Sequence, residues 1–175
     1  LVARWDAFCG NFAGGIVGEL EPPAAANVYG GSKLSREYMA RLWCDRRPIV
    51  ITRPFNYTGV GQAENFLLPK FVSHFHRKAS TNELGNLDVW RDFSDVRAVV
   101  RAYRGLIEAR AVGQTVNVSP GIPHSLREVI AKGDTITGHT PAVQVHPALV
   151  RANDVQTPCG DNSRLRALVP GWETP

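Results

Sequence analysis

Between residues 32 and 47 the chain sets Leu34, Tyr38 and Leu42 four positions apart, with Pro48 behind them. A four-residue recurrence marks one face of a helix, and Pro48 has no N–H with which to extend it. A helix is therefore predicted from Ser32 to about Arg47. PIVITRP follows, a short β-branched run between prolines, which is the pattern of a buried strand. FNYTGVGQAEN (55–65) reads as a loop, and LLPKFVSHFHRK (67–78) as a helix with Pro69 in its first turn. Residues 87–93, LDVWRDF, alternate and predict a strand. Ser94 is the expected N-cap of SDVRAVVRAYRGLIEAR, with Val96, Val99, Val100, Tyr103, Leu106 and Ile107 as the apolar stripe. QTVNVSPG reads as a strand ending in a turn, HSLREVIAKG as a helix and AVQVH as a strand. DNSRLRALV reads as a last helix capped by Asp161 or Asn162. The stretch 10–28, GNFAGGIVGELEPPAAANV, is rich in Gly, Pro and Ala and reads as a loop. Strands alternating with helices predict an α/β fold with parallel pairing, and no repeat or linker divides it.

Composition narrows the function classes. The 175 residues are 43% hydrophobic and 21% charged, which excludes a disordered chain. No apolar run approaches the ~18 residues that a membrane-spanning helix needs, so no membrane partner is expected. Twenty Lys+Arg against sixteen Asp+Glu give +4, but the charges are scattered. A nucleic-acid binder concentrates its basic residues in a stripe, so no nucleic acid is expected either. Cys9, Cys44 and Cys159 form no C-x-x-C, and no His cluster stands at ligand spacing. That pattern predicts reduced thiols, a cytoplasmic setting and no metal. The start, LVARWDAFCG, is not a signal peptide and lacks an initiator Met, so Leu1 is not expected to be the natural beginning.

No glycine cluster makes a dinucleotide turn. Gly59-Val60-Gly61 follows the PIVITRP strand, but Glu64 stands where the third glycine of G-x-G-x-x-G would fall. Gly10, Gly14, Gly15 and Gly18 run into Glu21-Pro22-Pro23 instead of a helix.

The sharpest signal is Tyr29-Gly30-Gly31-Ser32-Lys33. At a helix entrance, side chains four apart share a face one turn from each other. A phenol is a poor acid–base group at neutral pH, and a neighbouring ammonium favours its ionised form. Such a Tyr can protonate a carbonyl oxygen as hydride reaches the carbon, while the Lys is free to hydrogen-bond a ribose.

The pair stands within a longer order of motifs: NVYGGSKLSREYMA, RPFNYTGVGQAENF, GNLDVWRDFSDVRAVVRAY and GDNSRLRALVPGW. In that order the chain resembles the extended short-chain dehydrogenase/reductase (NAD-dependent epimerase/dehydratase) family. Its likeness is greatest to the GDP-4-keto-6-deoxymannose reductase branch, over Asn27 to Trp172. Tyr57 and Val60 depart from the usual His and Pro. The resemblance implies a C-terminal portion only. This would be a partial Rossmann-like doubly wound parallel sheet with a small α/β substrate-binding region. The N-terminal glycine-rich half would be absent.

The resemblance also assigns roles. Tyr29 becomes the catalytic acid and Lys33 its electrostatic and ribose-binding partner. Pro54 and Asn56 line the join of nicotinamide and sugar, with Asn56 touching substrate. Asn65, Phe66 and Lys70 hold the nucleotide-sugar; Asn86, Leu87 and Arg91 grip the GDP, with Arg91 on the pyrophosphate. Arg151 and Asp154 close over ribose and phosphate. The cofactor implied is NADP, or NAD. The partners implied are a GDP-sugar substrate and either a second copy or the missing half, because a doubly wound sheet cut near its middle exposes a strand edge. Plainer readings stay open beside these roles. Asn56 and Asn65 could cap turns, Arg91 could pair with Asp92, Lys70 could be solvated, and Trp90 and Phe93 could be core.

One departure bears on chemistry. The family carries a Ser or Thr upstream of the Tyr, whereas Arg4 or Trp5 stands at the matching place here. Losing that donor to the carbonyl oxygen is comparable to losing an oxyanion-hole contact, about a hundredfold or more. The function implied is NADP(H)-dependent reduction of GDP-4-keto-6-deoxymannose to GDP-rhamnose, impaired by that loss. The alternatives are a GDP-mannose 4,6-dehydratase or sugar epimerase of the same family, with Asp6 as the only upstream acid near the right place, or a non-catalytic nucleotide-sugar-binding remnant.

Overall fold

A computed structural model describes residues 15–25, 27–147 and 158–174. In chain order these form β1 (Gly15–Val17), α1 (Val28–Arg41), β2 (Ile51–Pro54), β3 (Asn56–Thr58), α2 (Leu67–His76), β4 (Thr81–Leu84) and β5 (Trp90–Asp95). There follow α3 (Val96–Glu108), β6 (Thr115–Val118), β7 (Pro123–Ser125), α4 (Leu126–Thr137), β8 (Ala142–Val145), β9 (Pro158–Gly160) and α5 (Ser163–Leu168). Among the described residues β1 pairs with β9, β2 with β6, β3 with β5 and β4 with β8, all parallel, and β5 with β7 antiparallel. The fold is mixed α/β with the parallel pairing that the alternation predicts.

Several boundaries move, each for a local reason. α1 starts at Val28 rather than Ser32, because the Asn27 side chain accepts the Gly30 N–H at 2.8 Å and caps it. It ends at Arg41, and the residues up to Arg47 continue as turns. β1 lies inside the stretch expected to be a loop, and so does β3 within 55–65. β4, β7 and β9 had no counterpart in the pattern. The N-cap of α3 is Asp95, whose carboxylate accepts the Arg97 N–H at 2.7 Å; Ser94 is buried within β5 instead. α4 begins after Ser125, which forms a reciprocal capping box with Glu128. Asn162 occupies the cap position of α5, but it is Asp161 that accepts the Ser163 N–H.

The main core lies between α3, β6 and α5: Ala98, Val99, Ala102, Leu106, Val116, Val118, Leu165 and Trp172. The Trp172 indole donates to the Ala98 carbonyl at 2.9 Å and so ties the C-terminal turn to α3. Only part of the expected α3 stripe faces inward. Val99 and Leu106 are buried, whereas Ile107 is 72% exposed and Val100 is exposed too. A second, smaller core joins α2, α4 and β4 through Phe71, Phe75, Leu84 and Ile130. There α2 and α4 cross so closely that a Cβ on Gly133 would lie 2.3 Å from the Phe75 ring. Gly133 is the residue that permits the contact.

Candidate functional site

Tyr29 sits in the first turn of α1 and is 51% exposed. Lys33, one turn on, places its ammonium 4.8 Å from the centre of the Tyr29 ring. The spacing therefore does bring phenol and ammonium onto one face. Ser32 donates to the Tyr29 carbonyl at 2.7 Å, so its hydroxyl is engaged within the helix.

The face of α1 turned to the protein is polar where an apolar stripe is usual. Gly30 and Glu37 are its buried residues, and Leu42 just beyond it is 79% exposed. Glu37 is held by Arg53 of β2 through two hydrogen bonds, 2.7 and 3.0 Å, and by Arg41 at 2.9 Å. Arg53 also donates to the Glu19 carbonyl at 3.1 Å, and Arg41 to the Thr115 hydroxyl at 2.8 Å. Burial pushes the Glu37 carboxyl up, but the hydrogen bonds and charges of Arg53 and Arg41 outweigh it and hold the group below its ordinary value. Glu37 lies about 12 Å along the helix from Tyr29 at ~1.5 Å per residue. Asn56 lies about 10 Å along the chain from Arg53 at ~3.3 Å per residue. From Glu37 to Arg41 the contacts of the helix pass from Arg53 back to Thr115, the ladder partner of Ile51, so helix and strand run in opposite directions and Tyr29 lies toward the Pro54–Asn56 end. The chain's charge pattern did not reveal this clamp. The signal was there in principle: a Glu eight residues beyond the Tyr, and a lone Arg inside an apolar strand.

The other residues singled out by resemblance are placed as follows. Pro54 ends β2 and is buried; Asn56 opens β3 opposite Phe93 of β5 and so is part of a ladder, not a turn cap. Asn65 and Phe66 are exposed at the start of α2, where Phe66 is the N-cap without a side-chain bond. Lys70 donates to the Glu83 carbonyl at 2.6 Å and joins α2 to β4, so it is not merely solvated. Asn86 accepts the Asp88 N–H at 3.0 Å. Leu87 packs on the small core and lines a shallow cavity of about 200 Å³ with Arg127, Ile130, Ala131, Asp134 and Val143. Arg91 donates to the Trp90 carbonyl at 2.7 Å. The local pair with Asp92 does not form: Asp92 points to the opposite face of β5, fully buried, and accepts from Ser119, Gly121, Ile122 and Gly160. Trp90 is exposed rather than core, and Phe93 is half-buried. Arg151, Asp154, Arg4, Trp5, Asp6 and Cys9 lie outside the described residues.

Cys159 is buried beside this cluster. Burial first, then the charges of Asp92 and Asp161, push its thiol up, so it is a packing group rather than a nucleophile. Among the described residues no helix is long and apolar enough to cross a membrane.

The model of the NAD dependent epimerase/dehydratase family matches residues 10–119. A GDP-6-deoxy-D-talose 4-dehydrogenase of Aggregatibacter actinomycetemcomitans is 33% identical over 94% of this chain and 58% of its own length. A GDP-6-deoxy-D-mannose reductase of Pseudomonas aeruginosa is 30% identical over 86% of this chain and 52% of its own. Among solved structures, a candidate epimerase from Burkholderia cenocepacia J2315 is 48% identical with a TM-score of 0.92, covering 99% of this chain and 56% of that one. The RMD protein of Pseudomonas aeruginosa in complex with NADPH is 27% identical with a TM-score of 0.89, covering 99% and 60%. The chain thus spans little more than half the length of the relatives it matches.

Proposed function

Because the chain belongs to the NAD dependent epimerase/dehydratase family, we propose that it is the catalytic-helix and substrate-binding portion of an NADP(H)-dependent nucleotide-sugar oxidoreductase. In this reading it reduces the C4 ketone of GDP-4-keto-6-deoxymannose to GDP-rhamnose. The observation that carries the reading is the Tyr29–Lys33 pair on a helix that the Glu37–Arg53 clamp aligns with Pro54–Asn56. Both curated relatives bear names of GDP-6-deoxy-sugar enzymes, and one solved relative was determined with NADPH.

The described residues fit one end of the cofactor. The exposed Tyr29 and the half-buried Lys33 form a polar pair suited to the nicotinamide ribose, whereas no G-x-G-x-x-G occurs in the chain to take the pyrophosphate. The bound cofactor would supply hydride to the sugar C4. Tyr29 would give its phenolic proton to the forming C4 alkoxide, and Lys33 would stabilise the phenolate left behind. Asn56 would orient the sugar, and Arg91 would hold the pyrophosphate as a planar two-pronged donor. Asn65, Phe66, Lys70, Asn86 and Leu87 would complete the nucleotide side, with Arg151 and Asp154 closing over it. NAD is the alternative cofactor.

The similarity to the talose enzyme favours a second reading of the product. Talose and mannose differ at C4, so the same proton donor serves either product, and the face of the sugar that receives hydride decides between them. Exposed apolar residues on and just beyond α1 (Tyr38, Met39, Leu42, Trp43) and on α3 (Val100, Ile107) support a further partner over these helices. We assign it to a second copy or to the cofactor-binding half of the sheet.

The test is Tyr29→Phe in the natural full-length polypeptide that carries this sequence. Turnover of GDP-4-keto-6-deoxymannose with NADPH should fall by at least about a hundredfold, with GDP affinity unchanged. Equal turnover by mutant and parent, or none by either with GDP still bound, would leave the non-catalytic remnant as the better description.

A further inference from the structure

We propose that Asp92 is a positioning residue for nucleotide-sugar binding, acting through Arg91 and Asn56; the inference rests on the reading given above for those two residues. Asp92 is fully buried and no Lys or Arg pairs with it among the described residues. Burying a carboxylate is costly unless its oxygens are satisfied. Here Oδ2 accepts from the Ser119 hydroxyl, from the Gly121 N–H at 3.0 Å and from the Gly160 N–H at 3.2 Å. Oδ1 accepts from the Ile122 N–H at 3.4 Å. One side chain thereby fastens three separate backbone segments: β5, the turn after β6, and β9.

What those segments carry gives the fastening its meaning. Arg91 immediately precedes Asp92, and Phe93, immediately after it, is the ladder partner of Asn56. One proposed substrate contact, Arg91, therefore precedes the anchored residue on β5, and the other, Asn56 on β3, pairs with the residue that follows it. On the far side, Gly160 approaches so closely that a Cβ there would lie 2.4 Å from the Ser119 hydroxyl and 2.7 Å from the Phe55 ring. Phe55, itself buried, separates Pro54 from Asn56. Two routes, along β5 and through Gly160 and Phe55, thus run from Asp92 to Asn56. An apolar residue could fill the same space, but it could not hold three N–H groups and a hydroxyl in one register. Nor could an amide: in either orientation its NH₂ would face an N–H donor.

The experiment measures GDP binding by calorimetry to the natural full-length polypeptide, at a temperature where circular dichroism shows each variant folded. Asp92→Asn should weaken GDP binding at least about tenfold, and Ser119→Ala, which removes one of four donors, by less. Arg91→Ala should also weaken it. If Asp92 works through its neighbour, the Arg91→Ala/Asp92→Asn double variant should bind little more weakly than Arg91→Ala alone. Parent-like affinity in Asp92→Asn would overturn the inference, and so would effects that simply add. Should Asp92→Asn fail to fold, the same cycle with Ser119→Ala decides. No GDP binding by the parent would overturn the functional reading itself, and this inference with it. Binding by the parent that Arg91→Ala leaves intact would overturn the inference too, because Arg91 is the contact that GDP reports.

Discussion

Two regions of the molecule are built on different principles. Where α1 and β1 meet β2 and β6 the structure is fastened by buried polar groups, Glu37–Arg53 and the Asn117 amide on the Val17 carbonyl among them, while Val116 and Val118 of β6 join the apolar core. Around α2, α4, β4 and β8 it is held by four apolar side chains and a close helix crossing at Gly133. Hydrogen bonds from Lys70 to Glu83 and from the His139 ring to Ala79 add only local ties there. A directional network fixes the angle between elements, whereas a small apolar core fixes their distance and tolerates sliding. The proposed proton donor stands on the first region. The proposed nucleotide contacts Asn65, Phe66, Lys70, Asn86 and Leu87 stand on the second. Chemistry that needs a fixed proton donor, beside a binding region that must fit a bulky nucleotide-sugar, suits that division.

The largest effect should come from removing the clamp. Glu37→Ala takes the carboxylate away from the buried Arg53, and breaking a buried pair costs about 3–5 kcal/mol. Urea unfolding should show that loss. Arg41→Ala, on the partly exposed arm of the same network, should cost much less. Equal losses would mean that the clamp is no more than a surface pair.

Next comes the small core. Phe75→Ala should cost about 3–4 kcal/mol by opening a cavity against Gly133 and Ile130. It should also speed amide exchange in β4 and β8 while leaving β2 and β6 as in the parent. Exchange that accelerates everywhere would show a single cooperative unit and erase the distinction drawn between the regions. A smaller loss in the same region, about 1 kcal/mol, is expected from Ser125→Ala, which opens the capping box of α4. Thermal unfolding would register it as a shift of a few degrees.

Local pattern against long-range pairing decides which parts of the chain could be read in advance. α2, β2, β6, β8 and α5 each carry a local signal, a β-branched run or a helical period bounded by a turn residue, and their positions agree with it. β1, β3 and β9 are three residues long and exist because of partners far along the chain, which no local pattern encodes. Ser94 and Asp95 are both good caps. Both end β5, opposite Tyr57 and Thr58, but Ser94 is buried there whereas the Asp95 carboxylate reaches the Arg97 N–H. At the site, the Tyr29–Lys33 spacing was legible because one helix supplies both groups. Glu37–Arg53 and the contacts of Asp92 were not, because each joins elements distant in sequence. A carboxylate read alone looks like solvated surface.

The smallest expected effect separates two carboxyls by pH, Glu37 of the clamp and Asp95 at the cap of α3. In the folded state the Glu37 carboxyl lies below its ordinary 4.5, and the Arg97 side chain, then its backbone N–H, hold Asp95 at about 2 instead of 3.8. A carboxyl whose folded value is depressed stabilises the protein above its unfolded value and loses that contribution as pH falls through the folded one. Stability of the parent should therefore decline from about pH 4.5 downward, with the Asp95 part lost between 3.8 and about 2. Asp95→Asn keeps a cap acceptor for the Arg97 N–H but cannot titrate, so it should flatten only the lowest part of the curve. Glu37→Gln should flatten the upper part, from a lower starting stability. Melting temperatures measured at half-unit steps from pH 6 to 2 would resolve the two. A decline unchanged in Glu37→Gln would mean that the acid sensitivity lies elsewhere, and that the clamp binds its helix without setting how the molecule responds to acid.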